Sequence, residues 1–247
     1  MKADPSAQQQ LLSVQELDSR ADHLRHQRAS LPEIVRIAEL ETGRGDVDDR
    51  LRDARIVVDD LTVEQKKADA DVEQVKARRT RDRDRMDQGL ITNPKDLERM
   101  QHELVSLERR IGSLEDAELE IMEQLEDAQR TADTLAAQLA ETDAQIAELV
   151  VARDARWVEI DTALAEAEAA RAAAVEGVPE DLLALYERLR AQKGGVGAAA
   201  LRARQCGGCQ LTIDAAELGV IRAAAADEVI RCEECQRILV RTPESGL

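Results

Sequence analysis

A chain of 247 residues with one Trp, one Tyr and no Phe cannot build a thick globular core, because aromatic side chains supply much of the buried area of such cores. A formal charge of −17, with 34% of residues charged, keeps the chain soluble and repels phosphate polyanions at long range, so any nucleic-acid site must be local. Met1-Lys2-Ala3-Asp4-Pro5 leads into Gln8-Gln9-Gln10 with no secretory apolar segment, and no run of about 18 apolar residues could span a bilayer. The expectation is a cytoplasmic protein without membrane contact, whose thiols stay reduced and available to a metal.

A weaker seam at helical spacing runs from Val14 through Leu17, Ala21, Leu24, Arg28, Leu31, Val35 and Ala38, apolar except at Arg28. Ser30-Leu31-Pro32-Glu33 interrupts this run with a capping-box spacing and a first-turn proline, which predicts a helix restart. Thr42-Gly43-Arg44-Gly45-Asp46 predicts a kink or short break, since glycine costs helix stability. A second seam follows at Leu51, Ala54, Val58, Leu61, Gln65, Ala68, Val72 and Val75. Beyond it Lys76, Arg78, Arg79, Arg81, Arg83 and Arg85 are opposed only by Asp82 and Asp84 up to residue 85. Such a cluster can contact phosphate, although interleaved Arg and Asp is also the composition of a solvated helix end.

Between Gln88 and Lys95, Gly89 can end one helix and Asn93-Pro94 begin the next. Steps of three and four from Leu97 then reach Met100, Leu104, Leu107, Ile111, Leu114, Glu118, Ile121, Leu125, Ala128, Ala132, Leu135, Leu139, Thr142, Ile146 and Leu149. Fourteen of these sixteen positions are apolar, which is a coiled-coil seam rather than an ordinary amphipathic surface. The phase slips by one residue after Leu149 and resumes as Val150, Arg153, Trp157, Ile160, Leu164 and Ala167. Near-equal helical stretches on either side of the break predict one antiparallel hairpin with its turn near 89–94, the alternative being a parallel homodimer in which the break is unused. Trp157 is expected opposite the residue-25 region, and His23, His26 and His102 are read as surface or seam-edge residues.

Glu176-Gly177-Val178-Pro179 marks a second boundary. Glu180 to Gln192 reads as a short helix burying Leu182, Leu183, Leu185, Tyr186 and Leu189, after which Gly194, Gly195 and Gly197 open a linker or first strand. The expected organisation is a hairpin over 1–176, a helix and linker over 177–197 and a terminal module over 198–247.

That module contains all four cysteines. Cys206-Gly207-Gly208-Cys209 and Cys232-Glu233-Glu234-Cys235 are separated by 22 residues, and each two-residue spacing lets both sulfurs of a tight turn point the same way. Two such turns make a tetrahedron of thiolates for one zinc ion. Four protein ligands leave no open position, so the metal is structural and activates no water. The 22-residue insert accommodates a strand at Leu211 to Ile213, a helix capped by Asp214 and running through Ala226, and a strand at Val229 to Arg231. Iron on the same thiolates and a redox CxxC are the competing readings. Arg202, Arg204, Arg231, Arg237 and Arg241 are the module's candidate phosphate contacts, although it carries slightly more acids than bases and no aromatic platform for a base.

Thr92-Asn93-Pro94-Lys95-Asp96-Leu97, Leu114-Glu115-Asp116-Ala117-Glu118-Leu119, Tyr186-Glu187-Arg188-Leu189 with Lys193-Gly194-Gly195-Val196, and Cys232-Glu233-Glu234-Cys235-Gln236-Arg237-Ile238-Leu239 together resemble a bacterial family. Its members are coiled-coil proteins ending in a C4-type zinc ribbon, described as nucleic-acid-binding. A flagellar branch is associated with transcript and sigma-factor binding. The resemblance implies a mainly α protein, a long antiparallel coiled-coil helical hairpin followed by a small β-rich ribbon. It further implies an adaptor rather than an enzyme, with RNA or DNA as partner and no small-molecule substrate. A protein-binding scaffold or chaperone engaging its partner through the coiled coil is the rival. Two residues depart from the family pattern. Gln236 replaces the usual Gly, which changes what the turn demands. Val240 replaces an aromatic, which removes the one obvious stacking platform.

Overall fold

The computed structural model describes all 247 residues, which form two compact units: Arg36–Leu149, and Met1–Val35 together with Val150–Leu247. The elements in chain order are α1 (Pro5–Ala29), α2 (Pro32–Asp87), α3 (Pro94–Val175), α4 (Glu180–Gln192), β1 (Ala198–Arg202), β2 (Gln205–Cys206), α5 (Ala215–Ala223), β3 (Ile230–Arg231) and β4 (Ile238–Arg241). No helix is long and apolar enough to cross a membrane.

In the unit Arg36–Leu149, α2 and the first two-thirds of α3 form the antiparallel hairpin. Its turn is closed by Gly89, whose φ of +67° is the left-handed conformation that ends a helix, and by Leu90 N–H donating to Arg85 O at 3.2 Å. Asn93 Oδ1 accepts the Lys95 N–H at 3.0 Å, so the Asn-Pro pair starts α3 as its sequence predicts. The core is a seam: Leu51 packs with Ala132 and Leu135, flanked by Val47, Ala54, Val58, Ala136 and Leu139. Ion pairs join residues nearly equidistant from the turn, among them Arg44–Asp143, Arg79–Glu108 and Lys76–Glu115.

The break expected at Thr42–Asp46 is absent, and α2 runs unbroken through both glycines. Neither Gly43 nor Gly45 takes a positive φ, and open space surrounds both. Two interior glycines cost about 2 kcal/mol. Breaking the helix would cost more, because its backbone hydrogen bonds and the seam contact of Leu51 would be lost with it. The restart at Ser30–Glu33 is present: Ser30 N–H caps α1 on His26 O, and Pro32 begins α2.

In the other unit, α1 pairs with the end of α3 and with α4. Trp157 Nε1 donates to Arg28 O at 3.2 Å, while the guanidiniums of Arg28 and Arg153 lie 4.6 and 4.4 Å from its ring centre, so the indole sits opposite α1 as expected. Asp18 is the polar hub. It is almost fully buried and accepts Arg171 Nε at 2.6 Å and Tyr186 Oη at 2.7 Å, with Arg190 at 3.5 Å. Burial and the neighbouring Asp18 carboxylate both raise the Tyr186 phenol pKa, so the hydroxyl remains a donor throughout the physiological range.

The strands form one four-stranded sheet in the order β2-β1-β4-β3, with β1 and β4 parallel and the other pairs antiparallel. Successive side chains point to opposite faces. Ala198, Ile238 and Val240 therefore join Leu11, Val14, Leu182 and Tyr186 of α1 and α4. Ala199, Leu201 and Leu239 join Cys206, Ile213, Leu218, Ile221 and Cys232 on the other side. Val240 is 1% exposed, so an aromatic side chain at this position would face the α1 core instead of offering a base a platform.

An intramolecular hairpin should be chemically testable. With cysteines at Arg44 and Asp143 in zinc-loaded protein, a short bismaleimide should crosslink within one chain and leave the monomer band on a denaturing gel. A covalent dimer as the main product would contradict the fold.

Candidate metal centre

Each pair of zinc-site cysteines sits in a turn of the same construction. Gln210 N–H donates to Cys206 O at 2.7 Å and Gln236 N–H to Cys232 O at 2.9 Å, and the two glutamines adopt φ of +61° and +64°. A non-glycine residue in this region costs roughly 1–2 kcal/mol. Gln236 keeps the turn where the resembling family has Gly, and its Nε2 donates to Glu233 O at 2.9 Å. The repeat Cys-x-x-Cys-Gln is visible in the sequence and was the unread signal that both turns share one conformation.

All four Sγ atoms lie within 4.8 Å of one another. Cys206 Sγ is 3.8 Å from Cys235 Sγ, and Cys209 Sγ is 3.9 Å from Cys232 Sγ. A tetrahedral zinc with Zn–S bonds of about 2.3 Å has sulfur–sulfur edges of about 3.8 Å, so the donor set fits the ion in chemistry and in size. A disulfide would need about 2.05 Å. Burial pushes the Cys232 thiol up to about 12 and raises Cys206 as well. For Cys235, burial acts upward but is outweighed by the backbone N–H and guanidinium of Arg237 and the neighbouring thiols, which bring it to about 7. Zinc bound by these four thiolates contributes folding energy and has no open coordination position.

The insert between the turns differs in detail from its expected elements. Leu211 to Ile213 is not a strand and makes only a single antiparallel bridge, Thr212 to Gln205, through Cys206 N–H to Leu211 O and Ile213 N–H to Arg204 O. Asp214 caps α5 as predicted, accepting Glu217 N–H at 2.8 Å, but the helix stops at Ala223 instead of Ala226. Arg241 explains the early stop. Its guanidinium collects the carbonyls of Ile221, Ala224, Ala225, Ala226 and Glu228, which pulls the chain out of helical register.

The candidate phosphate contacts of the ribbon have other partners. Arg237 donates to Lys193 O, Val196 O and Gly208 O, tying the second cysteine turn to the first and to the segment after α4. Gly208 is required there, since a Cβ would lie 2.7 Å from Arg237 Cδ. Arg231 Nε donates to Gln236 O, Arg202 pairs with Glu244, and Arg204 Nε donates to Gly246 O. At the hairpin turn Arg78 pairs with Glu103 and Arg79 with Glu108, whereas Arg81, Arg83 and Arg85 are exposed and enter no ion pair.

Two changes probe the centre. Cys232→Ser should abolish zinc binding and release the ribbon sheet from α1, so backbone amides around Leu11 and Val14 should lose hydrogen-exchange protection while most helical dichroism survives. Arg237→Ala should speed zinc transfer to a chromogenic chelator by about 10- to 100-fold, the usual effect of removing an outer-sphere partner. An unchanged transfer rate would show that the three carbonyl contacts do not hold the turns together.

Comparison with known proteins agrees with this geometry. Residues 14–194 match the CT398-like coiled coil hairpin domain and residues 205–239 the C4-type zinc ribbon domain. The uncharacterized protein Rv2229c of Mycobacterium tuberculosis is 37% identical over 243 residues, 98% of each chain. A solved structure from Mycobacterium smegmatis shares 37% identity with a TM-score of 0.84, covering 98% of this chain and 100% of that one. CT398 of Chlamydia trachomatis has the same fold at 18% identity, with a TM-score of 0.66 over 96% of this chain and 98% of its own. With its hairpin and its four-cysteine centre both matched, the chain belongs to the family of CT398-like coiled-coil hairpin proteins that carry a C4-type zinc ribbon.

Proposed function

We propose that this protein acts in the cytoplasm without catalysis, as a binding adaptor whose ligand is nucleic acid. The observation that carries this reading is local charge. Between Lys76 and Arg110, ten Lys and Arg side chains face seven Asp and Glu, on a chain whose formal charge is −17. Selection for solubility alone has no need of a basic island on so acidic a background, whereas phosphate binding requires one. The cavities support a macromolecular ligand over a small substrate. One, of about 360 Å³, is lined by Asp18, Arg25, Glu168, Arg171 and Arg190, all engaged in ion pairs with one another or with Asp22.

A protein scaffold is the second reading. Val151 and Val158 lie one heptad apart on α3 and are 70% and 67% exposed, as a helix-binding face would be. Filter binding of zinc-loaded protein to RNA and to DNA at two salt concentrations separates the readings. Nucleic-acid binding should weaken with salt along a log–log slope of about −0.7 per single-strand phosphate contact. No retention even at low salt, where attraction is least screened, would transfer the function to the scaffold reading.

A further inference from the structure

We infer that the phosphate-binding site is the hairpin turn region, on Arg81, Arg83 and Arg85 of α2 with Arg109 and Arg110 of α3, and that it takes the backbone of single-stranded nucleic acid. The inference rests on the nucleic-acid reading and locates it. A guanidinium can serve a phosphate only if its donors are free, and the two basic clusters differ in this respect. In the ribbon Arg237 and Arg241 give their donors to eight backbone carbonyls, and moving either would undo the cysteine turns or the end of α5. Arg202, Arg204 and Arg231 are also engaged, with Glu244, Gly246 O and Gln236 O, which leaves Arg222 on α5 as the single exposed ribbon arginine without a partner.

Near the turn the arginines divide. Lys76, Arg78 and Arg79 cross to Glu115, Glu103 and Glu108 and hold the two helices together. Arg81, Arg83 and Arg85, together with Arg109 and Arg110, are exposed and form no ion pair or side-chain hydrogen bond. The paired set is thus a structural brace, and the unpaired set is available.

Arg81 and Arg85 stand one turn apart on the same side of α2, about 6 Å along its axis, while Arg83 projects from the other side. Arg83 and Arg79 line a shallow cavity of about 180 Å³ with Leu104, Val105 and Glu108. Leu90 and Val105, 64% and 51% exposed, add apolar surface beside these charges, against which sugars or bases can lie. Asp82, Asp84 and Asp87 lie between and beside the arginines. Duplex DNA, with a charge every 1.7 Å or so of axis, would press phosphates against these carboxylates, whereas a flexible strand can place each phosphate on an arginine. No aromatic side chain is near, so binding should be almost indifferent to base identity.

The test is fluorescence anisotropy of the full zinc-loaded chain with labelled single-stranded oligouridylate and oligothymidylate. A tip triple of Arg81→Gln, Arg83→Gln and Arg85→Gln is compared with a ribbon triple of Arg202→Gln, Arg204→Gln and Arg231→Gln. The tip triple should weaken binding by about tenfold or more and reduce the magnitude of the salt slope by about 2, with RNA and DNA affected alike. The ribbon triple should stay within about twofold of the parent. Because the tip arginines form no ion pair or side-chain hydrogen bond, an unchanged helical dichroism and melting temperature is expected, and Arg81→Lys, Arg83→Lys and Arg85→Lys should restore most of the binding. If the parent binds but only the ribbon triple loses affinity, the tip assignment is wrong and the nucleic-acid reading stands. If the parent does not bind at all, that reading itself fails. Displacement of the oligonucleotide by polyglutamate at equal charge concentration would overturn the ligand class in favour of an acidic protein.

Discussion

The four-stranded sheet of the ribbon has two apolar faces, and the second unit depends on both being covered. One face closes over the cysteines and α5, and the other receives α1 and α4. A ribbon of this size has too little apolar area to order itself, so the free energy of metal binding, about 10–16 kcal/mol for such sites near neutral pH, is what fixes the strands. Leu11, Val14 and Tyr186 then bury against a surface that zinc has made rigid. Met1 to Ala3 extend the arrangement, with Ala3 N–H on Asp227 O and Val229 N–H on Met1 O. The sheet that the cysteine centre closes is therefore also the surface on which the start of helix α1 packs.

Arginine is the second organising residue, and the chain uses it in three different ways. Arg171 and Arg190 neutralise the buried Asp18, where an unpaired carboxylate would cost several kcal/mol. Arg237 and Arg241 satisfy clusters of carbonyls that no helix or strand serves, a role that suits a planar group with five donors and that lysine cannot fill. The hairpin carries a third group, exposed pairs such as Arg44–Asp143, each worth less than about 1 kcal/mol and important mainly for register.

This division explains what could be read from the sequence and what could not. The α3 seam, the Gly89 and Asn93-Pro94 punctuation and the paired CxxC turns were legible because each is a local pattern with one physical meaning. The continuity of α2 through Gly43 and Gly45 was not, because a local helix penalty was overruled by seam contacts made across the hairpin. The docking of α1 on the ribbon was partly written in Ala198-Ala199-Ala200-Leu201 and Ile238-Leu239-Val240, unbroken apolar runs that mark strands covered on both faces. What covers the second face could not be deduced, since α1 lies almost two hundred residues away. The uses of the ribbon arginines were the least legible, because a guanidinium on carbonyls and a guanidinium awaiting phosphate have the same sequence.

Charge on its own does not separate the ribbon from the hairpin turn as a phosphate site. Counting Arg and Lys treats the ribbon and the hairpin turn as equal candidates, and the ribbon, carrying the metal, would be favoured by analogy with other zinc modules. Counting free donors reverses the order. A guanidinium that leaves buried carbonyls to meet a phosphate abandons hydrogen bonds that nothing else supplies, a penalty of about 1–3 kcal/mol for each orphaned group. Arg241 would give up five carbonyl contacts, of which those to Ile221 O and Ala224 O are part-buried. Arg81, Arg83 and Arg85 would give up only water to meet a phosphate, which is why the proposed site is placed at the turn and not in the ribbon.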